Sequence, residues 1–411
     1  MNLVERIIAR AAGVEAVEPG EIVVVDVDRV YLQDGNTPTV KRLFEQHGFE
    51  RVFDPERIGV FFDHAVLAPD AAMAERLREA RAFAAEYGLR VFPPGRGISH
   101  VVAMEEGWFE PGGVVVGSDS HTCTGGALQC LALGMGASDV VAAMISGETW
   151  IKVPETTWIK IVGTPSAVAR PKDLALAVLA EFGSDPFLYR AVHWCGSSIE
   201  GLSSDESATL ANLGVELGAK CAFLPPGPGR EALESIDPGA DAPLARVHLF
   251  DAEGLPPFIA LPHLPSGGVP LDECAGERVD QVFIGSCTNG RLEDLREAAR
   301  MLRDEPVASS VQCTVTPGSD RVYRQLLAEG EIDAFVAAGA LVTPPGCGSC
   351  TGTQGPIPAG GDRVIATSSR NFRGRMGNPD ASIFLASPLV AARAAALGRI
   401  PSVDDLLLAD D

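Results

Sequence analysis

Two observations predict an α/β protein with mostly parallel sheets. Short runs rich in Val and Ile recur along the chain, and stretches with apolar residues at three- and four-residue spacing separate them. A third observation, two long stretches loaded with Pro and Gly, divides the 411 residues into three segments. That division agrees with a length prior of roughly 100–200 residues per domain.

The strand candidates are EIVVVDVDRVYL (21–32), IGVFFD (58–63), GVVVGS (113–118), WIKIVG (158–163), DQVFIGS (280–286) and RVIATSS (363–369). Between them, residues 71–88, 171–183, 291–302 and 321–330 carry the helical spacing, so helices are expected to cover the sheets. LPPGPGREALESIDPGADAP (224–243) reads as a long connection and LPSGGVPLDECAG (264–276) as a linker. The expected domains are therefore 1–163, 164–276 and 277–411. No repeat of roughly 20–50 residues is present, which excludes a solenoid or propeller.

Composition is that of a globular protein, 46% hydrophobic and 21% charged. No uninterrupted apolar run reaches the ~18 residues of a membrane span, so no membrane partner is expected. The opening MNLVERIIARAAG includes Glu5 and lacks the apolar core of a secretory signal; it reads as an amphipathic helix, and the expected location is the cytoplasm. A formal charge of −22 with no long Lys/Arg run argues against nucleic acid as a partner. The same acidity makes Arg370, Arg373 and Arg375 conspicuous, because an anionic substrate needs cations concentrated locally. Nine cysteines without a signal point to free thiols plus some metal ligation, not to a disulfide framework.

Cys347 and Cys350 form a C-x-x-C in PPGCGSCTG, a tight loop that brings two sulfurs to one metal centre. Structural zinc or a redox pair fits that motif alone as well. Cys287, in FIGSCTNGR, lies at a strand's carboxyl end just before a helix, where open α/β sheets place ligands and a helix N-terminus favours a thiolate. Structural zinc generally takes four ligands, and no further His or Cys stands close in sequence to these three. Cys123, Cys130, Cys195, Cys221, Cys274 and Cys313 read as small buried hydrophobes. A [4Fe–4S] cube held by three cysteines keeps one iron open, and an open iron is a Lewis acid.

Acid–base candidates gather at other strand ends. GSDSHTCTGG places Asp119 and His121 two apart around Ser120, FFDHAV places Asp63 before His64, and GISH puts His100 in a Gly-rich loop. Any one of these histidines alone reads as a hydrogen-bonded structural residue; together, with two Asp–His pairs, they fit proton delivery to a leaving hydroxyl. In SSDESATLANLGVELGA, Asn212 and Glu216 are four apart and share a helix face, which a solvated polar pair would also do. ATSSRNFRGRMGNP sets Arg370, Arg373 and Arg375 around Asn371 just after a strand, and planar guanidinium groups hold carboxylates bidentately.

GSDSHT, IGSCTNGR, CGSCTG and SSRNFRGR, in this order, resemble the signature stretches of the aconitase/isopropylmalate-isomerase family, and the similarity runs from about residue 20 to about 400. The resemblance implies three α/β/α domains around a [4Fe–4S] cluster with one open iron, ligated by Cys287, Cys347 and Cys350. It implies that Asp63, His64, His100, Asp119, His121 and Glu216 form the acid–base network, with Asn289 nearby, that Gln33, Ser120 and Asn212 contact substrate, and that Arg370 and Arg375 bind its carboxylate. Ser369 stands where the family has Asn, and Gln33 and Asp34 stand where isopropylmalate isomerases more often have His and an acidic residue.

The chain ends at Asp411, without the swivelling fourth domain that carries the family's serine base. It therefore resembles the large subunits of the split enzymes, whose partner is a separate small, swivelling-domain subunit. The implied reaction is loss and re-addition of water on a small di- or tricarboxylate hydroxy acid, with 3-isopropylmalate, of leucine biosynthesis, as the expected substrate and homoaconitase or 2,3-dimethylmalate dehydratase activity as the alternatives. Two rivals of another class are a zinc-stabilised binding module and a cluster-free regulatory protein that binds RNA.

Overall fold

The computed structural model describes residues 1–227, 246–303 and 305–407. Three large sheets organise it. The first is fully parallel, in the spatial order Arg90–Phe92, Ile58–Phe61, Arg29–Gln33, Val114–Gly117, Leu131–Gly134. The second, also parallel, runs Cys221–Phe223, Ala191–Cys195, Thr156–Val162, Val247–Asp251. The third has seven strands, of which Ser382–Leu385, Arg363–Ala366, Gln281–Ile284, Gln312–Val315 and Leu341–Val342 are parallel and Phe258–Ala260 and Gly268–Pro270 antiparallel at one edge.

The strands Ile58–Phe61 and Val114–Gly117 are buried at every residue, as expected of parallel strands covered on both faces. The helix Ala71–Glu86 covers part of one face with Leu77, Ala80, Phe83 and Ala84, and it starts where the Asp70 carboxylate accepts from Met73 N at 2.7 Å. Removing a ring such as Phe83 or Phe44 from this core would cost about 3–5 kcal/mol. The N-terminal amphipathic pattern forms the helix Leu3–Ala11, begun by a capping box between Asn2 and Glu5.

Four local expectations differ from what forms. The run 21–32 breaks at Val27–Asp28: Ile22–Asp26 pairs antiparallel with Glu148–Lys152 in a separate two-stranded ribbon, and only Arg29–Gln33 enters the first sheet. The Asp28 carboxylate accepts from Val114 N at 2.8 Å and fixes that break. The strand Thr156–Val162 lies inside the first expected segment yet pairs in the second sheet, and Phe258–Ala260 and Gly268–Pro270 lie in the second segment yet pair in the third sheet. Within the 264–276 linker, Gly268–Pro270 is thus an edge strand, and Gly268 packs so close to Leu176 that a Cβ would sit 2.8 Å from its carbonyl oxygen. Most of the 224–243 connection lies outside the described residues.

Topology carries the strand ends to one place. Asp63 and His64 follow Phe61, His100 follows Phe92, and Asp119 and His121 follow Gly117 at the carboxyl edge of the first sheet. Cys287, the Cys347/Cys350 loop and Arg370 follow Ile284, Val342 and Ala366 at the carboxyl edge of the third. The two edges are stitched by Ile98 N to Gly318 O (2.8 Å), a bridge between Gly97 and Ser319, and Cys347 N to Asp63 O (2.8 Å). The second sheet meets the first at Gly126, where a Cβ would lie 1.6 Å from Ala222 O; only glycine allows that approach. Among the described residues, no helix is long and apolar enough to cross a membrane.

Candidate active site

The floor between the two edges is lined with thiols. All nine cysteines are free and buried, and Cys287 and Cys347 pack together with Ile98 and Val101. Cys287 is the second residue of the short helix Ser286–Asn289, and its Sγ accepts from Asn212 Nδ2 at 3.3 Å. Cys350 Sγ accepts from an Arg375 terminal nitrogen at 3.5 Å, while Arg375 Nε is buried without a hydrogen-bond partner. Burial pushes both Cys347 and Cys350 up, but Arg375 first, then His121 and His64, outweigh it at Cys350 and leave that thiol below its ordinary range; Cys347 stays raised.

The donor set discriminates between metal groups. Among the described residues, Asp63, His64 and Cys347 bring donor atoms within 4.8 Å of one another, whereas the three cysteine sulfurs do not meet that spacing as a set. Sulfurs on one tetrahedral zinc, at about 2.3 Å from the metal, stand about 3.8 Å apart. Three thiols spread wider than that suit a polynuclear iron–sulfur group better than a single ion. Hydrogen-bond donors already aimed at two of the sulfurs suit anionic ligands.

Above the floor runs one hydrogen-bonded chain. Arg370 Nε donates to Glu216 Oε1 at 2.6 Å, and the same oxygen is 3.2 Å from His121 Nε2. His121 N donates to Asp119 Oδ1 at 2.7 Å, and that oxygen lies 3.2 Å from His100 Nε2. Burial would depress His121, but Cys287, Asp119 and Glu216 raise it to about 10. Asp119 is held well below the usual carboxylate range by His100 and His121 against the cost of burial, and Glu216 is lowered by His121 and Arg370. A second pair sits beside this chain: His64 Nδ1 is 2.7 Å from Asp63 Oδ1, and Asp63 Oδ2 accepts from Ser99 N at 2.7 Å. Cys347 and Asp63 raise His64 well above its ordinary value although burial opposes it. His64, Asp119 and Arg370 retain 20–21% of their side-chain exposure, which marks them as the groups that face the opening.

Not every expected residue faces the cleft. Gln33 is fully buried with both ends of its amide engaged, Nε2 to Ser99 Oγ (3.1 Å) and Oε1 from Ser118 Oγ (2.6 Å). Ser120 is half-buried at the start of the 3-10 segment Ser120–Leu128. Asn212 and Glu216 do not share one helix: the α-helix ends at Leu213, and Glu216 rides the tighter turn Gly214–Leu217. Both nevertheless point inward, Asn212 to Cys287 and Thr124, Glu216 to His121 and Arg370. Arg373 turns away, 69% exposed, with Nε on Pro379 O. Asn289 faces Thr209 and Asp294 beside a cavity of about 340 Å³.

Sequence reasoning missed three neighbours. Tyr31 is buried against His100 and Thr122 against Tyr31, and Tyr31 reads in sequence as one more apolar strand position. Lys172, fully buried, donates to the carbonyls of Thr367 and Ser368 (2.6 Å to Ser368) and so holds the loop that leads into Arg370. A lysine inside an apolar helical pattern was the available signal.

Fold and cleft together define an α/β enzyme whose acid–base groups and arginines converge on a thiol-lined floor. The profile of the "Aconitase family (aconitate hydratase)" matches residues 6–234 and 267–398. The 3-isopropylmalate dehydratase large subunit 1 of Pyrococcus furiosus is 40% identical over 420 aligned residues, covering 99% of both chains. The 3-isopropylmalate dehydratase large subunit of Aquifex aeolicus is 38% identical, covering 100% of this chain and 98% of that one. A protein of Methanothermobacter thermautotrophicus named "Probable methanogen homoaconitase large subunit" is 40% identical, covering 97% of each. The chain belongs to the aconitase family of hydro-lyases.

Proposed function

We propose that this chain is the large subunit of a split hydro-lyase that interconverts 3- and 2-isopropylmalate by dehydration and rehydration. The observation that carries the reading is the unbroken contact chain from Arg370 through Glu216, His121 and Asp119 to His100, laid over the three thiols. Several relatives of matching length bear the isopropylmalate dehydratase name, which supports the substrate.

In this reading Cys287, Cys347 and Cys350 hold a [4Fe–4S] cluster, which when bound supplies a Lewis-acidic iron for the leaving hydroxyl. The protein's own residues do the rest. Arg370 and Arg375 clamp a carboxylate and offset the charge that builds on it. His121, shared between Asp119 and Glu216, and His64 on Asp63 hold protons at ring nitrogens within reach of the opening, poised for the departing oxygen. Gln33 and Asn212 act from behind, keeping Ser118, Ser99, Thr124 and Cys287 in place. Ser120, between Asp119 and His121 in sequence, belongs to the substrate contacts in this reading.

In this reading these groups serve the leaving oxygen and the carboxylate, and a separate small subunit supplies the base for the alpha proton; the relatives' names as large subunits support that partner. The division into domains 1–163, 164–276 and 277–411 belongs to the same reading, supported by one large sheet in each, with strands 156–162, 258–260 and 268–270 crossing over. A cytoplasmic location belongs to the same reading.

The test is anaerobic co-purification with a candidate small subunit and assay against 2- and 3-isopropylmalate, homocitrate and 2,3-dimethylmalate. Isopropylmalate turnover above the others is expected. A preference for homocitrate would establish the second reading, which the equally similar methanogen relative favours. Activity of the large chain alone, unchanged by any small subunit, would overturn the split-enzyme reading.

A further inference from the structure

The two-stranded ribbon of Ile22–Asp26 and Glu148–Lys152 has one face in the core, where Val25 and Ile151 pack around the helix Leu3–Ala11. Strand alternation puts every second residue on the other face. There the register sets Ile22 beside Lys152, Val24 beside Trp150 and Asp26 beside Glu148. Ile22, Val24 and Trp150 keep 69%, 57% and 55% of their exposure, an apolar strip on the face of an antiparallel pair that ordinarily carries polar residues. Asp26, Glu148 and Lys152 are exposed too, and their side chains make no hydrogen bond or ion pair with any other described residue.

The charges on this face are self-complementary. In Glu148–Lys152 an acid and a base stand two residues to either side of Trp150. A two-fold axis lying in the face and crossing the strands at Trp150 lays a second ribbon on the first with its strands reversed. Trp150 then meets its own copy, and Glu148 of each chain comes opposite Lys152 of the other, two ion pairs flanking an apolar centre. Location also separates this face from the cleft. The ribbon joins Arg29–Gln33 at that strand's amino end, through Val27 and Asp28, whereas the acid–base groups gather at the carboxyl edge of the same sheet. A small subunit that brings a base to the cleft docks at that opposite edge.

We propose that the outer face of this ribbon is a self-association surface, and that its partner is the same face of a second copy of this chain, centred on Trp150. Only the choice against the small subunit rests on the hydro-lyase reading. The ribbon is about 17 Å long at ~3.4 Å per residue, so its face is smaller than the ~800 Å² per partner of a standard interface. Dimers with a dissociation constant in the micromolar range are therefore expected.

The test is sedimentation velocity of the full chain in about 0.15 M salt, which screens the long-range repulsion between two chains of formal charge −22. A monomer–dimer equilibrium is expected, and Trp150→Ala should weaken it by roughly 10-fold or more. Glu148→Lys and Lys152→Glu should each weaken it about 3–10-fold by setting like charges opposite one another. The double variant should recover wild-type association, and a mixture of the two single variants should form mixed dimers in preference to either variant alone. Unchanged thermal unfolding of each variant shows that folding is intact. A chain that stays monomeric to roughly 300 μM, or a dimer indifferent to Trp150→Ala and to the charge exchange, overturns the proposal. So does a monomeric chain whose Trp150→Ala variant no longer binds the small subunit, because the face then belongs to that partner.

Discussion

His121 and His193 are equally buried, and their surroundings drive them in opposite directions. His121, above the thiol floor, is raised to about 10 because Cys287, Asp119 and Glu216 outweigh burial. His193, inside the second sheet between Trp158 and Phe223, falls to about 3 through burial alone, and its Nε2 has no hydrogen-bond partner. The cysteines repeat the contrast: Cys350 beside Arg375 is lowered, whereas Cys313 and Cys221, in the cores, are pushed up to about 12. Burial is common to both regions, so the difference lies in whether charged partners converge. The cleft is built of paired groups and the cores are not.

The strongest way to break the contrast is at the thiols. Cys287→Ser, Cys347→Ser or Cys350→Ser should each abolish both iron–sulfide content and activity, measured on anaerobically prepared protein; stoichiometric zinc without sulfide in the wild type would undo the assignment. Next come the paired acid–base groups. Asp119→Asn and His121→Ala should lower kcat by roughly 10²–10⁴ while thermal unfolding shifts little. Arg375→Lys keeps the charge and loses the fork that reaches Cys350; about 10²-fold in kcat/KM with iron content retained is expected.

The core side of the contrast shows in stability. His193 has a folded value of about 3 against an ordinary 6.5, so its contribution to stability is complete above pH 6.5 and is lost as pH falls toward 3, by up to about 1.4 kcal/mol per pH unit. His193→Leu should flatten that part of the acid limb in urea titrations. A limb as steep in the variant as in wild type would mean that this histidine is not buried neutral. The smallest effect is expected at Cys313→Ala, about 1 kcal/mol of stability with the metal content unchanged.

Much of this was legible in the chain before any coordinates. Val/Ile runs located the parallel strands because strands covered on both faces must be apolar throughout. The two Asp–His pairs and the C-x-x-C stood out because polar residues at strand ends have few other reasons to be there. Three things were hidden, each for a physical reason. Strand membership depends on distant pairing, here of Thr156–Val162 with Ala191–Cys195 and Val247–Asp251, so the sheet it joins could not be read locally. Glu216 faces inward through a change of helix type that periodicity does not report. Tyr31 occupies a strand position like any aromatic core residue, and only the arrival of Thr122 and His100 from other strand ends reveals its hydroxyl.

The approach of Gly126 to Ala222 has a consequence for how such a chain can diverge. The segment Ser120–Leu128 carries His121 in its first turn and ends beside the second sheet, where Leu224 N donates to Gly126 O at 3.2 Å. A side chain at 126 would part the two sheets, and a residue added or lost before it would rotate His121 off Glu216. Descendants of this sequence are therefore free to vary exposed positions such as Leu67, Leu264 and Phe372 while inheriting the floor unaltered. New substrates would be acquired at the mouth of the cleft, and the chemistry beneath it would pass on as a single heritable unit.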